Sequence, residues 1–115
     1  HMPLTKETKD LINYSTLIKM KKNSIIVNTA RGGIINELDL EKALNENVIF
    51  GAALDVFSKE PIQKNNPLLK NKKVILSPHS ATFTDECTSR MGIETTKNII
   101  EFFENKLDKS KIVKI

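Results

Sequence analysis

The chain has no tryptophan, one tyrosine, one cysteine and four glycines in 115 residues. Each shortage excludes something. Cys87 has no partner for an internal disulfide, so a reducing, cytoplasmic setting is expected. The glycines are Gly32, Gly33, Gly51 and Gly92, and nowhere do they spell G-x-G-x-x-G, the turn that brings backbone amides against a pyrophosphate. The apolar runs are only a few residues long, too short to span a bilayer, and the start lacks a basic stretch followed by a long apolar one. Neither a membrane partner nor a signal peptide is expected.

Arginine is scarce too. Arg31 and Arg90 are the only two, so the net charge of +4 and the pI of about 9.2 are carried by lysines scattered among glutamates. With few aromatic side chains to stack on bases, this is a solvated surface, and no nucleic-acid partner is expected. What is present suits a folded chain: 39% hydrophobic and 28% charged residues, enough for one domain with a modest core.

The stretch Ser24–Gly33, "SIIVNTARGG", reads as a short strand, Ile25–Asn28, running into a lone arginine and two glycines. "IINELDLEKALNEN" follows with Ile35, Leu38, Leu40, Ala43 and Leu44 at helical spacing, Asn36 as its cap, and Glu37 and Asp39 at the positive end of the dipole. "VIFGAALDVF" is a second strand, apolar on both faces until Asp55, as in a sheet covered on both sides. A polar, proline-broken loop with a helical turn at Pro67–Leu69 leads to a third strand from Val74, ended by Pro78.

Thr84 caps a long helix reaching about Lys106, with Cys87, Met91, Thr95, Ile99, Phe102 and Phe103 as one stripe. In the basic tail, Ile112, Val113 and Ile115 are expected to pack back. Two short helical turns are expected before the first strand, capped by Thr5 and near Ser15. Strands separated by helices or long loops imply parallel pairing, so the fold class is α/β, a parallel sheet of about three strands with flanking helices and a long C-terminal helix.

Arg31, Asp55 with Glu60, and His79 then follow the first, second and third strands. In a parallel sheet these ends face one crevice, where ligands bind. Singly, each has a plain reading: a surface arginine, a turn-capping aspartate, a loop glutamate and a structural histidine. Together they offer chemistry. A carboxylate beside an imidazole fixes its tautomer and makes His79 a candidate acid/base. Arg31 is a planar fork for a carboxylate, and Gly32 and Gly33 let the backbone turn it into the crevice.

The segments "HMPLTKETKDLI", "MKKNSIIVNTARGGIINELDLEKAL", "GAALDVFSKEP" and "VILSPHSATFTDE" resemble the D-isomer-specific 2-hydroxyacid dehydrogenases, in family order over nearly the whole chain. The resemblance implies a Rossmann-like domain and an NAD(H)-dependent oxidoreductase acting on 2-hydroxy or 2-oxo acids. It implies Arg31 as the substrate-binding arginine, His79 as the catalytic histidine and Glu60 as its carboxylate partner. It assigns cofactor contacts to Pro3, Thr29, Ala30, Asp55 and Ala81, and no metal. Glutamate at position 60 argues against the family's formate-oxidising branch, which carries glutamine there. "PHSATFTDECTSRMGIETTKNI" looks closest to phosphoglycerate-dehydrogenase-like members, although no regulatory domain is expected after it.

By the same resemblance, residues 1–115 correspond to the last third of such an enzyme, a single truncated cofactor domain, with the glycine-rich turn and most of the substrate domain lying upstream in the family. The expectations are weak NAD binding, no turnover by these residues alone, and a homodimer that covers the open first strand or the long helix. A non-catalytic NAD-sensing or interaction module is the competing reading.

Overall fold

The computed structural model describes residues 1–113. The chain divides into two compact units, His1–Ala81 and the segment from Thr82 onward.

In the first unit, β1 (Ile25–Asn28), β2 (Gly51–Leu54) and β3 (Val74–Leu76) form one parallel sheet in the order β1-β2-β3. The register pairs Asn28 with Leu54 and Leu54 with Leu76, so the three strands end level. The second strand is shorter than the expected span of 48–57. Helix α2 (Glu37–Asn45) ends with Asn47 in the left-handed region, φ 57°, and the Val48 amide reaching back to the Ala43 carbonyl at 2.8 Å. That closing motif uses the backbone of residues 47 and 48 before the strand can start.

Helix α2 forms where its signals place it. The Asn36 side chain accepts the Asp39 amide at 3.1 Å, and Glu37 and Asp39 occupy the first turn. Leu40, Ala43 and Leu44 are buried in a core with Leu17, Ile35, Ile49, Ala52, Leu54, Phe57 and Leu68. Leu38 does not join them and is 69% exposed. Two residues from Leu40 on a helix is a rotation of about 200°, which puts it on the opposite side. Ile35 is buried ahead of the helix, in a parallel bridge with Ile12.

The second strand is covered as its sequence suggests, and its neighbours are less so. Ile25, Val27 and Ile75 are 59%, 64% and 75% exposed, while β2 between them is buried or half-buried. The two early helical turns also differ. Residues 6–10 form only a turn, with one helical bond from the Lys9 amide to the Thr5 carbonyl, halted at Asp10 in the left-handed region. The next is α1 (Tyr14–Leu17), with its cap near Ser15 as expected: Asn13, whose side chain accepts the Ser15 amide. The loop before β3 carries a 3-10 turn, Pro67–Lys70.

The second unit is α3 (Asp85–Phe103) and a short tail. Thr84 caps it by accepting the Cys87 amide at 3.1 Å. It ends as α2 does, on a left-handed asparagine, Asn105, with the Lys106 amide on the Glu101 carbonyl. No residue of α3 is buried. Phe102 and Phe103 meet edge to face with centroids 5.7 Å apart, yet both are exposed. Ile112 and Val113 are exposed and do not pack back; Ile115 lies outside the described residues. Among the described residues, no helix is long and apolar enough to cross a membrane.

Candidate functional site

The loops that leave the C-terminal ends of the three strands carry the site. β1 ends on Asn28, a buried polar side chain. Its Oδ1 accepts the Ala30 amide and its Nδ2 donates to the Arg31 carbonyl, both at 3.0 Å. The asparagine thereby folds the next three residues into a turn of fixed shape. Arg31 is exposed, and its guanidinium donates to the Ala30 carbonyl at 2.6 Å. Arg31 makes no hydrogen bond or ion pair with Glu60 or His79 in this state.

The two glycines that follow have different reasons. Gly33 has φ +80°, a conformation that side chains rarely adopt. Gly32 is there for space: a Cβ on it would lie 1.8 Å from the Phe57 carbonyl oxygen. The turn after β1 therefore presses directly on the peptide that joins Phe57 to Ser58, in the loop after β2.

That second loop begins with Asp55, 4% exposed. Its Oδ1 accepts the Ser77 hydroxyl at 2.5 Å and the Ser80 amide at 2.9 Å, and its Oδ2 accepts the Ala81 amide at 2.8 Å. Burial pushes this carboxyl up, but those three donors and the His79 charge outweigh it and hold it below its ordinary value. Asp55 thus ties the end of β2 to the turn after β3. Oδ2 carries a single hydrogen bond and keeps acceptor capacity.

Glu60 closes its own loop by accepting the Phe57 amide on Oε1 at 2.9 Å. Its Oε2 lies 2.8 Å from Nδ1 of His79. The His79 ring first, and the Phe57 amide second, hold the Glu60 carboxyl below its ordinary value against partial burial. An ionised carboxylate can only accept, so Nδ1 carries the proton and Nε2 is the atom left for other chemistry. Both side chains are partly open to solvent, 47% for His79 and 36% for Glu60. His79 itself sits at φ +54°, an uncommon backbone state held by the Ser77, Ser80 and Ala81 bonds to Asp55 on either side of it.

The remaining candidates are more loosely placed. Thr29 and Ala81 are exposed at the same sheet edge, and the Ala30 amide is already engaged by Asn28. Pro3 is exposed, and its carbonyl accepts the Thr8 hydroxyl at 2.8 Å. Reading the sequence missed three residues that build the site: Asn28, Ser77 and Glu37. An asparagine closing an apolar strand before a turn is a legible sign of Asn28. Ser77 and Glu37 act across long separations and leave no local sign. Among the described residues, no cluster of three metal-binding side chains occurs.

The sequence profile described as "D-isomer specific 2-hydroxyacid dehydrogenase, NAD binding domain" matches residues 1–81. The chain is similar to a glyoxylate reductase of Aeropyrum pernix, 47% identical over 107 residues that cover 93% of this chain and 32% of the relative. It is also similar to a D-3-phosphoglycerate dehydrogenase of Methanocaldococcus jannaschii, 44% identical over 93% of this chain and 20% of that one. Among solved structures, it superimposes on an NAD-dependent formate dehydrogenase from Staphylococcus aureus in complex with NAD. The TM-score is 0.87 at 33% identity, covering 99% of this chain and 35% of the other. The chain spans about a third of the length of the glyoxylate reductases it matches.

Proposed function

We propose that this chain, which belongs to the D-isomer specific 2-hydroxyacid dehydrogenases through their NAD binding domain, carries the acid/base pair and the substrate-binding arginine of an NAD-dependent oxidoreductase acting on D-2-hydroxy and 2-oxo acids. The observation that carries the reading is the 2.8 Å contact between Glu60 and His79 Nδ1 at the carboxyl edge of a parallel sheet.

In this reading Glu60, held ionised, keeps the His79 proton on Nδ1 and turns Nε2 toward the substrate. Arg31 swings from the Ala30 carbonyl to grip the substrate carboxylate with two parallel N–H bonds. For a 2-oxo acid, His79 Nε2 gives its proton to the carbonyl oxygen, and the neutral ring is then reprotonated from solvent. In the reverse direction Nε2 takes the hydroxyl proton. NADH, when bound, supplies the hydride that reaches the carbonyl carbon. The residues present fit only the nicotinamide end of that cofactor: exposed Thr29 and Ala81, the Ala30 carbonyl, the N-terminal segment at Pro3, and the spare acceptor capacity of Asp55. No glycine-rich turn occurs among them to hold its pyrophosphate.

The 115 residues are accordingly the later part of a cofactor domain, with weak NADH binding and no turnover by themselves. They associate as a two-fold dimer that covers the β1 edge or the α3 stripe. Glyoxylate is the first substrate to test, given the names of the relatives at 47% identity, and D-3-phosphoglycerate the second. Glutamate at position 60, where the formate-oxidising branch carries glutamine, supports this choice over formate.

The test grafts the 107 aligned residues into the Aeropyrum pernix enzyme in place of the matching segment. The expected result is NADH-dependent reduction of glyoxylate that falls by about a thousandfold or more in His79→Ala, while the ungrafted chain shows none. A folded graft that binds NADH and reduces no 2-oxo acid would overturn the assignment and favour the non-catalytic reading.

A further inference from the structure

We infer that Glu37, in the first turn of α2, is a positioning residue for His79, acting through the Phe57–Ser58 peptide and Glu60. The inference rests on the reading that Glu60 and His79 form the acid/base pair, and extends it to a residue 42 positions before the histidine in the sequence (79 minus 37).

Four contacts carry it. Glu37 Oε1 accepts the Ser58 amide at 2.5 Å and its Oε2 accepts the Asn66 side-chain amide at 2.6 Å. One carboxylate so pins the loop after β2 on both sides of Glu60. Glu60 Oε1 accepts the neighbouring Phe57 amide, and Gly32 packs against the Phe57 carbonyl. The Phe57–Ser58 segment is thereby held from three directions: by a helix terminus, by the turn that carries Arg31, and by Glu60 itself.

Glu60 needs such a hold. It is more than a third exposed, it lies on an exposed stretch of loop, and its other anchor is the histidine it is meant to orient. Exposed pairs are weak unless the partners are held in place, because two free side chains lose conformational entropy on meeting. An ion-pairing role also fails for Glu37: it has no lysine or arginine partner among the ion pairs of the described residues, and both of its oxygens are used on the loop. Its place at the start of α2 suits a carboxylate, but the dipole alone does not explain why both oxygens reach residues 21 and 29 positions away.

The test reads the tautomer of the His79 ring from its ¹⁵N signals, at a pH where the ring is neutral, in the 115-residue chain. Loss of the His79 signals in His79→Gln separates them from those of His1. In the unsubstituted chain, Nδ1 is expected in the protonated range. Glu60→Ala shifts it toward the Nε2–H form that a free histidine side chain prefers. Glu37→Ala produces a shift in the same direction, and Glu37→Gln, which keeps an acceptor for Ser58 but sets an amide against Asn66, a smaller one. In the Glu60→Ala background, Glu37→Ala adds nothing.

A Glu37→Ala ring identical to the unsubstituted one, beside a shifted Glu60→Ala ring, overturns the role of Glu37 and leaves the pair standing. An additive effect in the double variant overturns it as well, since Glu37 would then reach His79 by another route. A Glu60→Ala ring that does not change overturns the pair and the inference together. Should Glu37→Ala fail to fold, Glu37→Gln decides: a partial shift upholds the role and an unchanged ring overturns it.

Discussion

Helices α2 and α3 begin and end by the same rules and differ in what lies between. Each starts on a short polar cap, Asn36 or Thr84, that accepts an amide three residues on at 3.1 Å. Each stops on an asparagine near φ 57°, Asn47 or Asn105. Yet α2, nine residues long, buries three of them, while α3, nineteen residues long, buries none. Local chemistry sets where a helix runs; what it is packed against sets what it stabilises. The difference extends to function. The first turn of α2 is wired by Glu37 to the loop that holds Glu60.

The strongest way to break the α2 side of the comparison is at its junction with the site. Gly32→Ala places a methyl group 1.8 Å from a backbone oxygen that no side-chain rotation can move. The Arg31 turn and the Phe57–Ser58 peptide must separate, and Glu37 and Glu60 lose their common support. The expected loss is about 4 kcal/mol, the exceptional end of single substitutions, read as a lowered midpoint in urea unfolding. A loss under about 1 kcal/mol would mean that the two loops do not touch.

The next largest effect sets one helix against the other. Leu44→Ala empties a fully buried position in α2 and should cost about 2–5 kcal/mol. Ile99→Ala, at a half-exposed position of α3, should change stability by no more than about 0.5 kcal/mol in the chain by itself. Equal costs would show that α3 packs in solution against a surface of its own or of a second copy, which is the result that a homodimer through the helix stripe predicts.

Much of this was legible in the sequence, and the exceptions share a cause. β1 and β3 follow from short β-branched runs, β2 from a short apolar run, and both long helices from period-3.6 apolar spacing and from caps, all local signals. The ends of the strands, and so the meeting of Glu60 with His79, follow from parallel topology. What could not be read is what crosses between segments. Glu37 looked like a dipole-favouring residue, because nothing nearby reveals that its oxygens reach Ser58 and Asn66. Gly32 looked like a flexible joint, when its role is to leave room for another segment's carbonyl. Arg31 was expected to face the crevice, and its guanidinium donates to its own preceding carbonyl. One-sided coverage of β1 and β3 was hidden for the same reason: apolar alternation shows that a face is to be covered, not by what.

The smallest effect compares the carboxylates of the two units. Asp55 and Glu60 both sit below their ordinary values in the fold, Asp55 through donors that outweigh its burial and Glu60 through His79 and the Phe57 amide. A carboxyl depressed in the folded state binds fewer protons there than in the unfolded chain, where it titrates near about 4. Its contribution is therefore fully present above that value and is lost as pH falls through the lower folded values, so stability falls on acidification. Glu86 is also depressed, by its own backbone amide and the Thr84 hydroxyl, but on an exposed helix end where water and salt screen it. Urea midpoints measured from pH 7 down to pH 3, the range in which carboxylates titrate, should show a gap between the unsubstituted chain and Glu60→Gln that is widest at neutral pH. That gap should narrow on acidification, as the native carboxylate gains its proton and loses its advantage over the amide. Asp55→Asn should show the same narrowing on top of a constant loss, because an amide nitrogen set against the Ser80 or Ala81 N–H leaves two donors facing each other. Glu86→Gln should follow the unsubstituted curve throughout. A gap for Glu60→Gln that stays constant with pH would mean that its carboxylate gains nothing from His79 or from the Phe57 amide in solution, and the wiring of the site would then rest on Glu37 and Asp55.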